Sequence, residues 1–143
     1  MSETVQIKAP WLASKDPEVP STLNYSTLSM CGRVEEMVRQ YPNYIAYEFM
    51  GKTTTYAEMW QKINACAKSL KAIGIREGDK VTICMPNAPQ TLCMFYAVNM
   101  VGAIANMVHP LSAESEISFY LRDSNSVAAI TLDQFYPKFE SVR

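Results

Sequence analysis

Glycine is scarce in this sequence. Only five stand among 143 residues, at positions 32, 51, 74, 78 and 102. They form neither the G-x-G-x-x-G fingerprint nor the P-loop pattern, so the usual nucleotide-cradling loops are absent. Histidine is scarcer still, with His109 alone. There is no H-E-x-x-H, no G-x-S-x-G and no Cys/His nucleophile pattern. The four cysteines, Cys31, Cys66, Cys84 and Cys93, lack C-x-x-C spacing. Buried free thiols in a reducing cytosol are therefore expected, since a zinc site needs more ligands than these offer. An excess of charge is also missing. Thirteen basic and fourteen acidic residues leave a net charge of -1, so no broad field favours nucleic acid or an anionic membrane. The N-terminus lacks a basic-then-apolar signal pattern, and a cytoplasmic location is expected.

Charge disappears altogether from Val81 to Val108. That length is enough to cross a bilayer. Pro86, Asn87, Pro89, Gln90, Asn99 and Asn106 interrupt it, however. A buried strand-helix-strand unit is expected there, with no transmembrane segment.

The remainder has the composition of a globular chain, 48% hydrophobic and 19% charged. Residues 1–25 read as an extended arm. Pro10, Pro17 and Pro20 forbid a long helix, while Trp11, Leu12 and Val19 are expected to anchor the arm on the body. Ser26 or Thr27 is the expected cap of a helix carrying Leu28, Val34, Met37 and Val38, weakened by Gly32 and ended before Pro42. "YIAYEFMGKTTTY" reads as a β-hairpin. Ile45, Tyr47 and Phe49 alternate with Ala46 and Glu48, and Gly51-Lys52 is the expected turn.

Thr55-Tyr56-Ala57-Glu58 has the form of a capping box. The helix it opens places Tyr56, Met59, Trp60, Ile63, Cys66, Ala67, Leu70 and Ile73 on one face. Glu58 and Lys62 are a favourable i,i+4 pair, and Gly74 is the helix stop.

"GIREGDKVTICMPNAPQ", residues 74–90, then poses a choice between a ligand-binding turn and a structural joint. It supplies a Gly-Asp turn, the strand "VTICM", and Asn87 as expected cap of a helix with Pro89 in its first turn. Leu92, Phe95, Tyr96, Val98 and Met100 surround that helix, which is expected to be well buried, and Gly102 ends it. "AIANMV" is a second strand. Ser112 is the expected cap of a further helix, with Glu114 and Glu116 at its positive end and Ile117, Phe119, Tyr120 and Leu121 on its apolar side. "VAAIT" is a third strand. The spacing is that of βαβ units, which predicts a parallel sheet with right-handed crossovers and helices packed on it. The fold class is thus α/β, a hairpin and helices leading into a small parallel sheet. "LDQFYPKFESVR" begins another helix that nothing completes, and the chain is expected to be a piece of a longer protein.

Little here points to chemistry. Glu35-Glu36 and Glu114/Glu116 sit in amphipathic helices, where a solvated face is the default. His109 follows the second strand, at the sheet end where ligands bind in doubly wound folds. It is read either as a substrate contact or, more simply, as a cap on the strand end.

Taken in order, these motifs resemble the N-terminal part of the adenylate-forming enzymes, the superfamily of acyl-CoA synthetases, luciferases and peptide-synthetase adenylation domains. "TTTYAEM" is similar to their first core motif, with Thr54 and Met59 in place of its leucines. "GIREGDKVTICMPNAPQ" resembles their Gly-Asp-x-Val strand followed by Pro-Asn. "MVGAIANMVHPLSAESEISFYLRDSNSVAAIT" resembles their Ala-Gly-Ala strand and Leu-x-Asp-Ser helix, with Val101 where alanine is commoner and His109 where asparagine is. The arm "APWLASKDPEVPSTLNY" is similar to the lead-in of bacterial long-chain fatty-acid CoA ligases.

The resemblance implies part of a larger acyl-CoA-synthetase-like fold, with residues 26–143 as an N-terminal α/β subdomain. It implies a parent ligase that joins a long-chain fatty acid to coenzyme A, consuming ATP with magnesium and releasing AMP and pyrophosphate. The phosphate loop, ribose-binding aspartate and catalytic lysine of that family have no counterpart in this sequence. No catalytic, cofactor-binding or metal-binding residue is therefore carried over. The implied partners are the rest of the parent enzyme and its fatty-acid substrate, and the isolated segment is expected to be inactive and to self-associate. Two alternatives are an adenylating enzyme for aryl or amino acids and a free-standing flavodoxin-like binding module.

Overall fold

A computed structural model describes residues 9–20 and 22–142. Its centre is a short strand held on both sides and both faces. This strand, β3 (Lys80–Cys84), pairs in parallel with β4 (Ile104–Met107) and β5 (Ala128–Thr131), in the order β4-β3-β5. Before it come α1 (Met30–Gln40), a two-stranded hairpin of β1 (Ile45–Phe49) and β2 (Lys52–Thr55), and α2 (Tyr56–Ala72). Between and after the parallel strands come α3 (Pro89–Val101), α4 (Glu114–Ser124) and the short α5 (Tyr136–Glu140). The expected α/β class, hairpin and parallel sheet are all present.

The alternation of β3 assigns the two faces. Val81 and Ile83 point into the larger core, with Met59, Ile63, Ala67 and Leu70 of α2 and Cys93, Ala97, Val98 and Val101 of α3. Cys84 joins a smaller cluster with Val108 and Ile117, against which Leu121 and Phe139 pack. Thr82, on that second face, is fully buried but satisfied. Its hydroxyl accepts from Asn106 Nδ2 at 3.0 Å and shares a 2.7 Å hydrogen bond with Ser126, while Asn106 also donates to Ser124 at 3.1 Å. This polar chain ties the sheet to the end of α4.

Three helices stop in the same way. After α2, the Gly74 N–H donates to Lys71 and the Ile75 N–H to Leu70. After α3, Gly102 and Ala103 donate to Asn99 and Val98. After α4, Asn125 and Ser126 donate to Arg122 and Leu121. Each is the Schellman pattern, which needs one residue with positive φ; Gly74, Gly102 and Asn125 supply it. The Asp79 carboxylate then accepts from the Arg76 N–H at 2.8 Å and closes the turn into β3.

Several expectations are corrected. Helix α1 is capped by Ser29, whose hydroxyl accepts from the Gly32 N–H at 3.0 Å, and not by Ser26 or Thr27; Ser26 instead accepts from Leu28 in a turn of its own. Leu28 consequently lies outside the helix. The hairpin turns on Met50-Gly51, both at positive φ, and not on Gly51-Lys52. An irregularity between Ile45 and Tyr47 breaks the alternation there, so Ala46 and Tyr47 both pack against the core while Ile45 is exposed. Ile73 is exposed because it occupies the C-cap, and Ile75 takes its place in the core.

Helix α3 is preceded by Ala88, with no side-chain cap from Asn87. Pro89 at its first position needs no donor and presets φ. Helix α4 is preceded by Ala113 and not by Ser112; the Glu116 carboxylate accepts the Ala113 N–H at 2.9 Å and takes over the capping. Of its expected apolar side, Ile117 is buried, whereas Phe119 and Tyr120 are exposed. The arm holds a 3-10 turn at Pro10–Ser14, and Trp11, Leu12 and Val19 are exposed and do not anchor it. Among the described residues, no helix is long and apolar enough to cross a membrane.

Candidate functional site

Among the described residues, an apolar cleft of about 490 Å3 opens between the hairpin, the start of α3 and the end of β4. Tyr47 and Phe49 of the hairpin, Leu92, Phe95 and Tyr96 of α3, and Met107 of β4 line it. It lies beyond the carboxyl ends of the parallel strands, where open α/β sheets bind ligands. A second groove of about 400 Å3 continues from it through Tyr47, Leu92 and Tyr96 to Met30 and Met37 of α1. The sequence reading assigned Leu92, Phe95 and Tyr96 to burial. In the structure Leu92 is exposed and the two aromatic rings are half-buried, stacked edge to face at 5.4 Å. The apolar residues all round α3 were read as burial within this chain, which supplies only part of that cover. A helix on one face of a three-stranded sheet has only part of its circumference covered.

The polar side chains nearby hold the backbone. Thr91 donates its hydroxyl to the Pro86 carbonyl at 2.6 Å. Thr131 donates to the Cys84 carbonyl at 2.9 Å, and the Cys84 thiol contacts the His109 carbonyl at 3.7 Å. Lys138 of α5 donates to the carbonyls of Ser112 at 2.8 Å and Pro110 at 3.3 Å. His109 is exposed, and its Nδ1 accepts the Leu111 N–H at 3.2 Å. That bond caps the loop after β4. The stretch of residues 74–90 is likewise a joint: a helix stop, a turn, a strand and a proline-started helix.

The paired carboxylates have similar structural partners. Glu36 pairs with Arg33, and Glu35 approaches Arg39 at 4.0 Å. Glu114 accepts from the Ser141 hydroxyl at 2.9 Å. At the start of α2 the capping box forms, with the Thr55 N–H donating to Glu58 at 2.8 Å and the Glu58 N–H to the Thr55 hydroxyl at 3.3 Å. The Thr55 N–H, and the Thr55 hydroxyl that donates to the same carboxylate at 3.0 Å, hold the Glu58 carboxyl below its usual value, more than nearby Lys62 does. Lys62 turns instead toward the Tyr47 hydroxyl, 3.4 Å away.

All four cysteines are free, with Cys31, Cys84 and Cys93 buried and Cys66 half-buried. Burial pushes each thiol above its ordinary value; at Cys93 the neighbouring Cys66 adds to the rise and Lys62 opposes it. Among the described residues there is no group of three or more His, Cys, Asp or Glu placed to hold a metal ion. Among the described residues no glycine-rich turn is there to cradle a nucleotide phosphate. What the arrangement provides is shape, an apolar cleft on a rigid sheet end.

Closed sheet centre, ordered motifs and open cleft together define an α/β scaffold of the adenylate-forming type. The family model "AMP-binding enzyme" matches residues 34–142, and the chain belongs to that family. It is 31% identical over 134 residues to a long-chain-fatty-acid–CoA ligase of Bacillus subtilis (strain 168), a match covering 94% of this chain and 24% of that protein. It is 38% identical over 89 residues to the long-chain-fatty-acid–CoA ligase FadD13 of Mycobacterium tuberculosis, covering 62% of this chain and 18% of that one. The crystal structure of the inhibitor-bound N-terminal domain of FACL13 from Mycobacterium tuberculosis superposes with a TM-score of 0.72 at 33% identity, over 76% of this chain and 28% of that one. The chain thus spans about a quarter of the length of the first of these relatives.

Proposed function

We propose that this chain is the scaffold segment of an ATP-dependent acyl-CoA synthetase that acts on long-chain fatty acids. The parent reaction converts fatty acid, ATP and coenzyme A to acyl-CoA, AMP and pyrophosphate, with magnesium on the phosphates. The observation that carries this reading is the match, over nearly the whole chain, to a relative named as a long-chain-fatty-acid–CoA ligase. Residues 1–25 serve as the arm and residues 26–143 as the N-terminal α/β subdomain. No residue here is assigned a catalytic, cofactor-binding or metal-binding role, and the segment is inactive by itself. Its part is to present the sheet end and cleft to the groups that do the chemistry. Four free thiols fit a reducing, cytoplasmic setting.

The partner of the segment is the rest of the parent enzyme. Without it, the exposed Trp11, Leu23, Ile104 and Met107 leave apolar surface uncovered and favour self-association. A clean monomer at high concentration in light scattering would count against that part. The substrate is tested by AMP release from the full-length parent against a panel of long-chain fatty, aryl and amino acids. The expected result is selective, coenzyme-A-dependent release with long-chain fatty acids; preference for aryl or amino acids rejects the reading.

A further inference from the structure

The loop after β4 is held by a bond that a proton can break. His109 Nδ1 accepts the Leu111 N–H at 3.2 Å. A backbone N–H only donates, so Nδ1 carries no proton and the hydrogen of the neutral ring sits on Nε2. Imidazole is the side chain that changes charge between about pH 5 and 8, and in the charged ring both nitrogens are donors. The incoming proton therefore goes to Nδ1, the acceptor of this bond. His109 is exposed, so solvent reaches the ring directly.

The neighbouring elements do not offset the added charge. From α5, Lys138 Nζ donates to the Ser112 carbonyl at 2.8 Å and to the Pro110 carbonyl at 3.3 Å, so a fixed ammonium already lies on the same loop. From β3, the Cys84 thiol contacts the His109 carbonyl at 3.7 Å. Burial pushes that thiol up, with Lys138 opposing, and it stays neutral over this range. From α4, the Glu116 carboxylate is taken by the Ala113 N–H and Glu114 by the Ser141 hydroxyl. Among the described residues no carboxylate forms an ion pair with His109 or Lys138. We propose that His109 is a proton-sensitive latch on residues 109–112: the neutral ring holds this loop at the sheet end, and the protonated ring releases it. One N–H bond forms at Nδ1, the Leu111 N–H turns to solvent, and nothing is oxidised or reduced. The Ser112 N–H still donates to the His109 carbonyl at 3.1 Å, and Lys138 keeps its two carbonyls, so the release stays local. Met107, two residues before the loop, lines the cleft, so the latch acts at the rim of that cleft. It is independent of the fatty-acid reading.

The test is amide hydrogen exchange of the 143-residue chain, read at Leu111 at pH 8 and at pH 5, in wild type, His109→Asn and His109→Ala. An asparagine side chain bonds the backbone two residues on in the same way, and its amide oxygen does not titrate. Comparing variants at one pH cancels the intrinsic effect of pH on exchange and the titration of every other group. At pH 8, wild type and His109→Asn are expected to protect Leu111 equally, and His109→Ala to exchange about two- to tenfold faster, the loss of one hydrogen bond. At pH 5, wild type is expected to exchange as fast as His109→Ala, while His109→Asn keeps its protection. Leu111 protection at pH 5 that is equal in wild type and His109→Asn, or His109→Ala as well protected as wild type at pH 8, overturns the proposal.

Discussion

The strand β3 and its two neighbours have similar apolar sequences and opposite surroundings. Val81, Thr82, Ile83 and Cys84 are wholly inaccessible to solvent. On β4, Ile104 is 53% and Met107 51% exposed, and Val127, just before β5, is 60% exposed. The difference lies in position. The central strand has a partner on each side and helices on both faces, all supplied by this chain. The outer strands have one partner each and offer an open edge. Apolar residues in a strand therefore report that something covers them, without saying whether the cover belongs to the same segment.

The sharpest way to break that comparison is to truncate one isoleucine at each place. Ile83→Ala is expected to destabilise by about 2–5 kcal/mol through lost burial and a cavity. Ile104→Ala is expected to stay within about 0.5 kcal/mol, as surface substitutions usually do. Urea unfolding of both variants gives the answer, and equal losses would erase the distinction between centre and edge. A smaller contrast concerns two turns. Gly102→Ala puts a methyl at φ 82°, 3.0 Å from Glu77 Cγ, whereas Gly51→Ala at φ 76° meets open space. Both are strained, so each is expected to cost about 1 kcal/mol, with Gly102→Ala the worse because Glu77 must also move. Thermal melting in which Gly51→Ala proves the more damaging would contradict this.

The smallest effect concerns acid. The Glu58 carboxyl is held below its ordinary value, first by the Thr55 N–H and then by its hydroxyl. A depressed carboxylate contributes stability that is complete above its unfolded-state value and lost as pH falls through the folded one. Glu58→Gln is therefore expected to flatten the decline in stability between about pH 5 and pH 3, with little change near neutrality. Unchanged acid dependence in that variant would show that the capping box does not carry it.

Legibility in the sequence follows how local each signal is. The start of α2 was readable because Thr55 and Glu58 satisfy each other within four residues, and its end because Gly74 alone fixes the stop. The three parallel strands were readable from their spacing, since each crossover repeats the same unit. The caps of α1, α3 and α4 were placed one to three residues early. In α1 several hydroxyls competed, and only the one whose geometry reached an N–H, Ser29, won. In α3 and α4 an alanine holds the position, while Pro89 and Glu116 do the work from inside the helix. The hairpin turn slipped because Met50 takes a positive φ that methionine seldom adopts. The cleft was hidden because its walls come from the hairpin, α3 and β4, and nothing local marks Tyr47 and Leu92 as neighbours across a gap. The anchoring of the arm failed for a related reason: apolar residues at positions 11, 12 and 19 state a need for cover that this segment does not meet.

The central claim is that this segment is scaffold and that the chemistry belongs to the remainder of an acyl-CoA synthetase. It is tested most directly by ATP–pyrophosphate exchange on the purified 143-residue chain, with magnesium and a long-chain fatty acid present. The account predicts background exchange from the segment beside robust exchange from the full-length parent. Robust, fatty-acid-dependent exchange by the segment alone would contradict it.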